Sequence, residues 1–411
     1  MTTRSVLISG GGIAGPALAS WLTRRGIAVT VVERAPGPRP GGQAVDLRGA
    51  ARTVAARMGL LDAIRAVSLD QRGIAWVRAD GTISARMPVD AFGGEGIVSE
   101  IEVLRGDLAG VLYGATRGAT EYLFDDSVTG LDDDGGGVTV RFERSRPRRF
   151  DLVVGADGSH SAVRALAFGP EEECTRSLDL YSCWFTARAD IDLDGWFVMH
   201  NLPGGRVAMV RPGRLPGELK AGLSFRSGPI AYDRSDLAAQ EELVAERFAD
   251  AGWEVPRLVA AMHGATDFGL DSTAQVHLPT WSRGRVVLLG DAAWSPTPLT
   301  GLGTSLALVG AYVLAGELAA TDDLGVALRR YGEVLRPYVT SAQQLPPGGV
   351  GAFAPMGARE IRLRQASVRL MLRRPFRQLI AKQFAKAGDI DLPDYRTLLA
   401  DAGGPGVRPG Q

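Results

Sequence analysis

Two turns hold the residues best suited to chemistry. In Leu288-Leu289-Gly290-Asp291-Ala292-Ala293, running on to Pro298 and Gly301-Leu302-Gly303-Thr304, an apolar run meets an acidic turn and then the glycine-rich start of a long apolar stretch. A helix start offers free backbone N–H groups. With one carboxylate beside them, it suits a ligand carrying hydroxyls and an electron-rich ring. The second turn is Gly10-Gly11-Gly12-Ile13-Ala14-Gly15, with Gly10, Gly12 and Gly15 in G-x-G-x-x-G spacing between an apolar run and a helical pattern. Glycine there permits the tight turn, the close approach of a pyrophosphate and close helix–strand packing. Glu33 closes the next apolar run, where a carboxylate can accept from ribose hydroxyls. One long dinucleotide joining the two distant turns points to FAD rather than NAD.

A third segment repeats the strand, acidic turn and helix order. In Asp151-Leu-Val-Val-Gly-Ala-Asp157-Gly158-Ser-His-Ser161-Ala-Val-Arg164, Asp157 can cap the helix start, with Ser161 and Arg164 on its first turns. Arg105 opens a helical pattern whose Leu104, Leu108, Val111 and Leu112 face inward, and its fork could reach a pyrophosphate bidentately. Cys174 and Cys183 are the only cysteines, and His160, His200, His263 and His277 lack metal-ligand spacing. Neither a disulfide framework nor a metal site is expected.

The elements that must position these groups form a βαβ unit: a buried strand over 5–9, a helix over 13–25 stopped by Gly26, and a strand over 28–32. Helical patterns cover 50–67 and 105–115. A hairpin is expected at 74–78 and 82–87 around Asp80-Gly81, and strands at 121–124, 127–131, 138–143 and 150–154. From about Ser177 the texture changes to alternating segments at 180–187, 196–201, 206–211 and 219–225, which predict an antiparallel sheet with one face open to a ligand or helix. Helices follow at 236–248 and 256–263, then a strand at 285–289, a helix at 299–320 and a largely helical tail. The fold class is α/β: a Rossmann-like FAD-binding domain with a parallel sheet, an inserted antiparallel-sheet substrate domain and a C-terminal helical segment. The divisions fall at 1–70, 95–176 and 267–340 for the FAD-binding domain, 71–94 and 177–266 for the substrate domain, and 341–411 for the helical segment.

At 411 residues with zero formal net charge, 45% hydrophobic and 22% charged, the chain is that of a soluble globular enzyme, and whole-protein attraction to nucleic acid is not suggested. The 299–320 stretch passes the length test for a membrane span, yet its place after the acidic turn predicts a buried core helix. A cytoplasmic, soluble protein is expected, monomer or homodimer, without a membrane partner. The basic 359–386 segment, interrupted near Pro375, suits surface attachment to a membrane or, preferably, packing across the domains with its arginines solvated.

The order and spacing of G-x-G-x-x-G, D-G-x-x-S-x-x-R and G-D-A-A over residues 5–340 resemble the flavoprotein monooxygenases of the p-hydroxybenzoate hydroxylase type, group A. The loop Arg39-Pro40-Gly41-Gly42-Gln43-Ala44-Val45-Asp46-Leu47-Arg48 and the short chain are closer to the tetracycline-inactivating and polyketide-tailoring branch. The resemblance implies that Gly10, Gly12, Ile13, Ala14, Gly15, Glu33 and Arg34 hold the ADP half of FAD, with Arg39, Asp46, Arg105 and Val128 also lining the cofactor. Asp291 would meet the ribityl hydroxyls beside Gly290, while Pro298, Gly301, Leu302, Gly303 and Thr304 would line the isoalloxazine. Asp157 and Arg164 complete the cofactor set as braces. The chain departs from the family in Trp294, Leu302 and Ser305, where His, Gln and Asn are frequent, which implies fewer polar contacts to the flavin ring.

The same resemblance implies a monooxygenase that consumes O₂ and NADPH or NADH and hydroxylates an aromatic or polycyclic substrate through a C4a-hydroperoxyflavin, with no catalytic protein residue. The residues expected on the substrate wall are Trp184, Phe197, Met199, Arg206, Met209 and Phe225, with Pro298 and Gly301 opposite; aromatic and methionine side chains suit a flat ligand. A flavin-dependent halogenase or reductase is the alternative enzyme, although no lysine precedes Lys220 and no W-x-W-x-I-P segment is present. A non-catalytic flavin- or drug-binding protein is the alternative outside enzymes.

Overall fold

The computed structural model describes residues 3–39, 41–92, 94, 99–373 and 390–400. The chain begins β1 (Ser5–Ser9), α1 (Ala14–Arg24), β2 (Ala28–Glu33), β3 (Ala44–Asp46), α2 (Ala50–Arg57) and α3 (Leu61–Ala66). A hairpin follows, β4 (Gly73–Val77) with β5 (Ile83–Pro88), then β6 (Glu102–Leu104), α4 (Arg105–Thr116) and β7 (Glu121–Phe124). A meander of β8 (Val128–Asp133), β9 (Val138–Phe142) and β10 (Arg148–Phe150) precedes β11 (Leu152–Gly155), α5 (Ala162–Phe168) and α6 (Glu171–Cys174). Next come β12 (Thr175–Arg188), β13 (Trp196–Leu202), β14 (Arg206–Pro212), β15 (Glu218–Arg226), α7 (Leu237–Arg247), α8 (Val255–Met262) and β16 (Gly269–Val276). The return runs β17 (Ser282–Arg283), β18 (Val286–Leu288), α9 (Asp291–Trp294), α10 (Gly303–Ala320), α11 (Leu324–Ala342), α12 (Gly349–Phe353) and α13 (Ala358–Met371).

Apolar runs without alternation make buried parallel strands, because helices cover both faces. Here β1, β2, β11 and β18 do so in a six-stranded sheet of order β17-β18-β11-β1-β2-β7, with β1 central and β17 antiparallel at one edge. The three strands β1, β11 and β18 each end in one of the glycine or acidic turns, so the fold gathers the three motifs along one edge. Helix α10 meets the length and apolarity of a membrane span, and 78% of it is buried inside the fold.

The middle segments form a second sheet of seven strands, order β16-β12-β15-β14-β13-β4-β5. It is antiparallel except where β13 pairs with β4 in parallel, since the β4–β5 hairpin is added from an earlier part of the chain. Strand β16 lies at its edge beside β12, so 269–276 sits with the segments 71–94 and 177–266. Both faces of this sheet are covered. One packs on α7 and α8 through Val244, Phe248, Val255, Leu258 and Met262. The other meets Leu299, Val350 and Phe353 from the returning chain.

Three expected elements differ in detail. The 50–67 pattern is two helices, because Gly59 at φ +74 reverses the chain between α2 and α3. The 299–320 helix starts only at Gly303: Pro298–Thr300 is a short 3₁₀ turn and Gly301 is left-handed at φ +65. Of the basic tail, α13 packs against β5, whereas 374–386 lies outside the described residues.

Near its far end α10 is held by the returning segment 390–400. A Cβ added at Gly316 would lie 2.1 Å from the Tyr395 ring. The Tyr395 hydroxyl donates to buried Glu317, and the Tyr395 N–H to the Tyr312 hydroxyl at 3.0 Å. Gly316→Ala is expected to destabilise the protein by roughly 1–3 kcal/mol through overpacking, read as a lower urea midpoint. An unchanged midpoint would mean that Tyr395 yields at no cost.

Candidate active site

A groove runs along the C-terminal edge of the parallel sheet, and its ends are chemically distinct. At one end Gly10 has φ +113, and a Cβ there would meet the Ala156 carbonyl oxygen at 2.3 Å. A Cβ at Gly15 would meet the Gly10 oxygen at 2.0 Å. These two glycines are demanded by backbone packing. Gly12 is different: nothing lies within 4 Å of its added Cβ, so the middle of the turn opens onto free space beside the start of α1. Two backbone N–H groups, of Gly11 (2.8 Å) and Ala35 (3.0 Å), donate to the Glu33 carboxylate and fix it at the groove's lip.

At the other end Asp291 begins α9, and 3.7 Å separates its Oδ1 from a Cβ added at Gly303. Asp291 opens onto the groove, yet surrounding protein desolvates it and pushes its carboxyl above the ordinary range, with Arg105 pulling the other way. Its carboxylate accepts no hydrogen bond from the described residues, which leaves it available to a ligand. Arg105 stands between the ends. Desolvation lowers its guanidinium from the usual value, Arg39 lowers it further, and Asp291 and Glu33 raise it. The loop before it is docked on α4 by the Arg105 and Gly106 N–H groups donating to the Gln43 and Gly41 carbonyls at 2.9 and 2.7 Å.

The Asp157 segment braces these ends from beneath. Its carboxylate accepts from the Ser161 hydroxyl, from Ser9 Oγ at 3.3 Å and from the Val163 N–H at 3.2 Å. Arg164 is 1% exposed and donates to the Ala292 carbonyl at 3.2 Å and the Ser159 carbonyl at 2.6 Å. Arg164 thereby ties the two acidic turns together from below. Val128 is buried at the start of β8, just beyond the Asp126 N–H that donates to the Glu33 carbonyl at 3.2 Å. Arg34 and Arg39 are exposed beside Glu33, with Arg39 3.9 Å from its carboxylate. Asp46 is engaged by Arg48 at 2.8 Å and by the Ser99 N–H at 3.1 Å, and its Oδ2 lies 3.4 Å from a Cβ added at Gly301. Leu302 and Thr304 are buried around the α10 start.

Of the three departures from the family pattern, Trp294 is not at the groove. It is buried against Trp281, at 4.6 Å between ring centres, and against Tyr331, with Gly310 leaving room for its ring. The α9 turn points it into the core. Ser305 instead faces Arg48, donating to that carbonyl at 3.4 Å.

On the seven-stranded sheet, side-chain alternation sorts the expected substrate wall into two groups. Trp184, Phe197, Met199 and Met209 share the face toward Leu299, with Met199 opposite Met209 and the Trp184 ring lying over Gly222. Arg206 and Phe225 stand on the other face and are corrected. Arg206 pairs with Asp250 and donates to the Arg247 carbonyl at 2.8 Å, and Phe225 stacks on Tyr181 beneath Arg247. They share their residue types with the expected wall but sit out of phase with Met209. The same phase brings in residues not singled out from sequence: Trp76, Lys220 and Arg211, whose guanidinium lies 3.9 Å from the Phe197 ring centre. Arg211 is legible in retrospect, two positions after Met209. Its buried partner Glu102, on β6, carries no sequence signal.

With this geometry in place, the likenesses to known proteins fall into line. The profile of the FAD-binding domain family matches residues 3–324. An uncharacterized protein of Mycobacterium tuberculosis is 43% identical over 359 residues, 87% of this chain and 96% of its own. A flavin-dependent monooxygenase from an unknown prokaryotic organism is 36% identical, covering 83% of this chain and 88% of its own. Among solved structures, tetracycline destructase Tet(55) superposes with a TM-score of 0.80 at 33% identity, covering 96% of this chain and all of its own. The chain belongs to the FAD-binding domain family, among its flavin-dependent monooxygenases. The open cradle at Gly12, the Asp291 carboxylate, which accepts no hydrogen bond among the described residues, and the Arg105 cation between them fit FAD laid along the groove.

Two outcomes test this site. Asp291→Ala should weaken FAD binding about tenfold or more, the loss of charge-assisted hydrogen bonds, measured by the flavin fluorescence released on dilution; unchanged retention would remove Asp291 from the site. The second concerns His160, whose ring contacts Glu171 and Asp271 at 2.9 Å each and so ties the Asp157 loop to α6 and β16. The Asp271 bond, then Glu171, raises its pKa above the ordinary 6.5, against desolvation. That clamp is fully present below the ordinary value and is lost as pH rises through the raised one. The wild-type Tm should therefore fall more between about pH 6 and about pH 9 than that of His160→Gln; parallel falls would show that the clamp adds nothing.

Proposed function

We propose that this monooxygenase hydroxylates a planar polycyclic aromatic compound, drawing its electrons from NADH or NADPH. One observation carries the reading: the sheet face bearing Trp184, Phe197, Met199 and Met209 is turned toward Leu299, in the segment that leads into Gly301, Leu302 and Gly303. A flat ring system between these surfaces gains aromatic and thioether contact on one side and lies near the flavin end of the groove on the other. The name of tetracycline destructase Tet(55) supports a polycyclic substrate class.

FAD, when bound and reduced, supplies the activation of O₂ and the transfer of one oxygen atom. This chain's own part is placement. Glu33, the Gly12 cradle and Arg105 would hold the dinucleotide, Asp291 would accept from its ribityl hydroxyls, and Gly301 to Gly303 would line its ring. The apolar sheet face would press the substrate ring toward that edge and keep water out, which protects a reactive oxygen species from wasteful breakdown. No protein nucleophile or metal is required for this division of labour.

The purified protein should be yellow. Its NADH or NADPH oxidation should rise in the presence of tetracycline or a hydroxyanthraquinone, with product mass increased by one oxygen atom. No stimulation across such a panel by either nicotinamide would overturn the reading. Trp184→Ala should raise KM about tenfold, the cost of losing one aromatic contact, with little change in Tm. Phe225→Ala, on the far face, should do the reverse, lowering Tm while leaving KM near wild type.

A further inference from the structure

Helix α13 meets the protein with one face only. Gln365 and Val368 are buried, and the helix lies on β5 and β13, where Val368 joins the apolar cluster of Trp76, Phe197 and Met199. Arg369 Nε donates to the Ser84 carbonyl at 2.6 Å and ties the far end of the helix to β5. The outer face points to solvent. Leu363 is 71% exposed, the most exposed large apolar side chain among the described residues, and Leu370, two turns on, is 47% exposed. Met356 before the helix and Ile83 next to Ser84 are exposed as well. Single exposed leucines need no explanation, but these two come with a charge pattern.

Arg359, Arg362, Arg369 and Arg373 follow one another at three- and four-residue steps, with Ala366 in the one gap. They form an exposed stripe beside Leu363 and Leu370. No carboxylate pairs with any of the four among the described residues. Glu360, the one acidic residue of α13, is turned back to accept from the Met356 N–H at 2.9 Å. Over the whole chain 46 basic residues balance 46 acidic ones, so this excess of one sign is local. Guanidinium groups beside exposed leucines suit a surface that is anionic at its edge and apolar just beneath. A lipid leaflet with anionic headgroups is such a surface: a helix lying in it buries its leucines and keeps its arginines at headgroup level. A second copy of the chain fits less well, because a two-fold contact through this face sets the arginine stripe against itself.

We propose that the outer face of α13 docks on an anionic lipid surface, with Leu363 and Leu370 at the headgroup–acyl boundary and Arg359, Arg362 and Arg373 against the headgroups. The docking stands on exposure and charge and does not depend on the substrate reading. Joined to that reading, it has a use. The inner face of α13 covers the apolar sheet face, so a polycyclic compound dissolved in the lipid lies about one helix diameter from the surface proposed to receive it.

The experiment floats the FAD-loaded, full-length protein with vesicles of phosphatidylcholine, either alone or with about one third phosphatidylglycerol. Wild type should bind the mixed vesicles at least about tenfold tighter, and about 0.5 M NaCl should remove most of that preference. Arg359→Glu combined with Arg362→Glu should abolish the preference. Leu363→Asp combined with Leu370→Asp should weaken binding to the mixed vesicles about tenfold or more. Leu237→Asp, at a leucine of α7 that is 49% exposed beyond the other face of the sheet, should bind as wild type does. Flavin content and Tm measured in parallel report folding, and the arginine variant carries the test if the leucine variant unfolds. Equal binding to the two vesicle types, binding to neither, or full preference in the arginine variant overturns the proposal. A dimer in solution that Leu363→Asp dissolves assigns the face to a second copy and overturns it equally.

Discussion

The ends of β1, β11 and β18 are locked together by Asp157 and Arg164, and the rest of the site stands on that lock. Asp157 gathers Ser9, Ser161 and the Val163 N–H, and Arg164 reaches from the same helix start to the Ala292 carbonyl behind Asp291. Burial raises the Asp157 carboxyl above its ordinary range, against the pull of those donors. A buried guanidinium with its carbonyl partners removed is costly, so the two acidic turns hold one spacing relative to each other. The distance between Glu33 and Asp291, and so the length of ligand the groove takes, follows from this brace and from parallel pairing about β1.

A second constraint is that one sheet serves two cores. The seven-stranded sheet packs α7 and α8 on one face and the returning segment on the other, so side chains along each strand alternate between the two. Tyr181, Phe225 and Arg206 hold the helices, while Trp184, Met209 and Arg211 look toward Leu299. A shift of one residue in the β14 register would exchange these roles completely. The ladder from Arg206↔Phe225 to Pro212↔Leu219 runs without a bulge, which fixes the assignment.

Much of the cofactor half is legible in the sequence. Gly10, Gly12, Gly15 and Glu33 owe their roles to local geometry, since a turn between adjacent elements and the end of the next strand are set by residues close in sequence. The boundaries of β1, β7 and β14 likewise follow from short apolar or alternating runs. What escaped was non-local. The parallel β4–β13 pairing and the β16 edge depend on segments far apart in the chain, and Trp294 was misplaced because a one-turn helix aims it into the Trp281 and Tyr331 cluster. Residue type alone does not separate Arg206 and Phe225 from Met209, because only phase within the sheet decides the face.

The sequence by itself determined the class of ligand: three glycine or acidic turns, each between a strand and a helix, carry the chemistry of a long dinucleotide in their own few residues. Only the tertiary structure decided which side chains share the sheet face toward Leu299. It gave Gly12 its open space, set Arg164 beneath the groove, and paired Arg211 of β14 with Glu102 of β6. The physical reason is reach. Backbone turns act within a handful of residues, whereas a buried ion pair between strands from two sheets exists only once both sheets have packed.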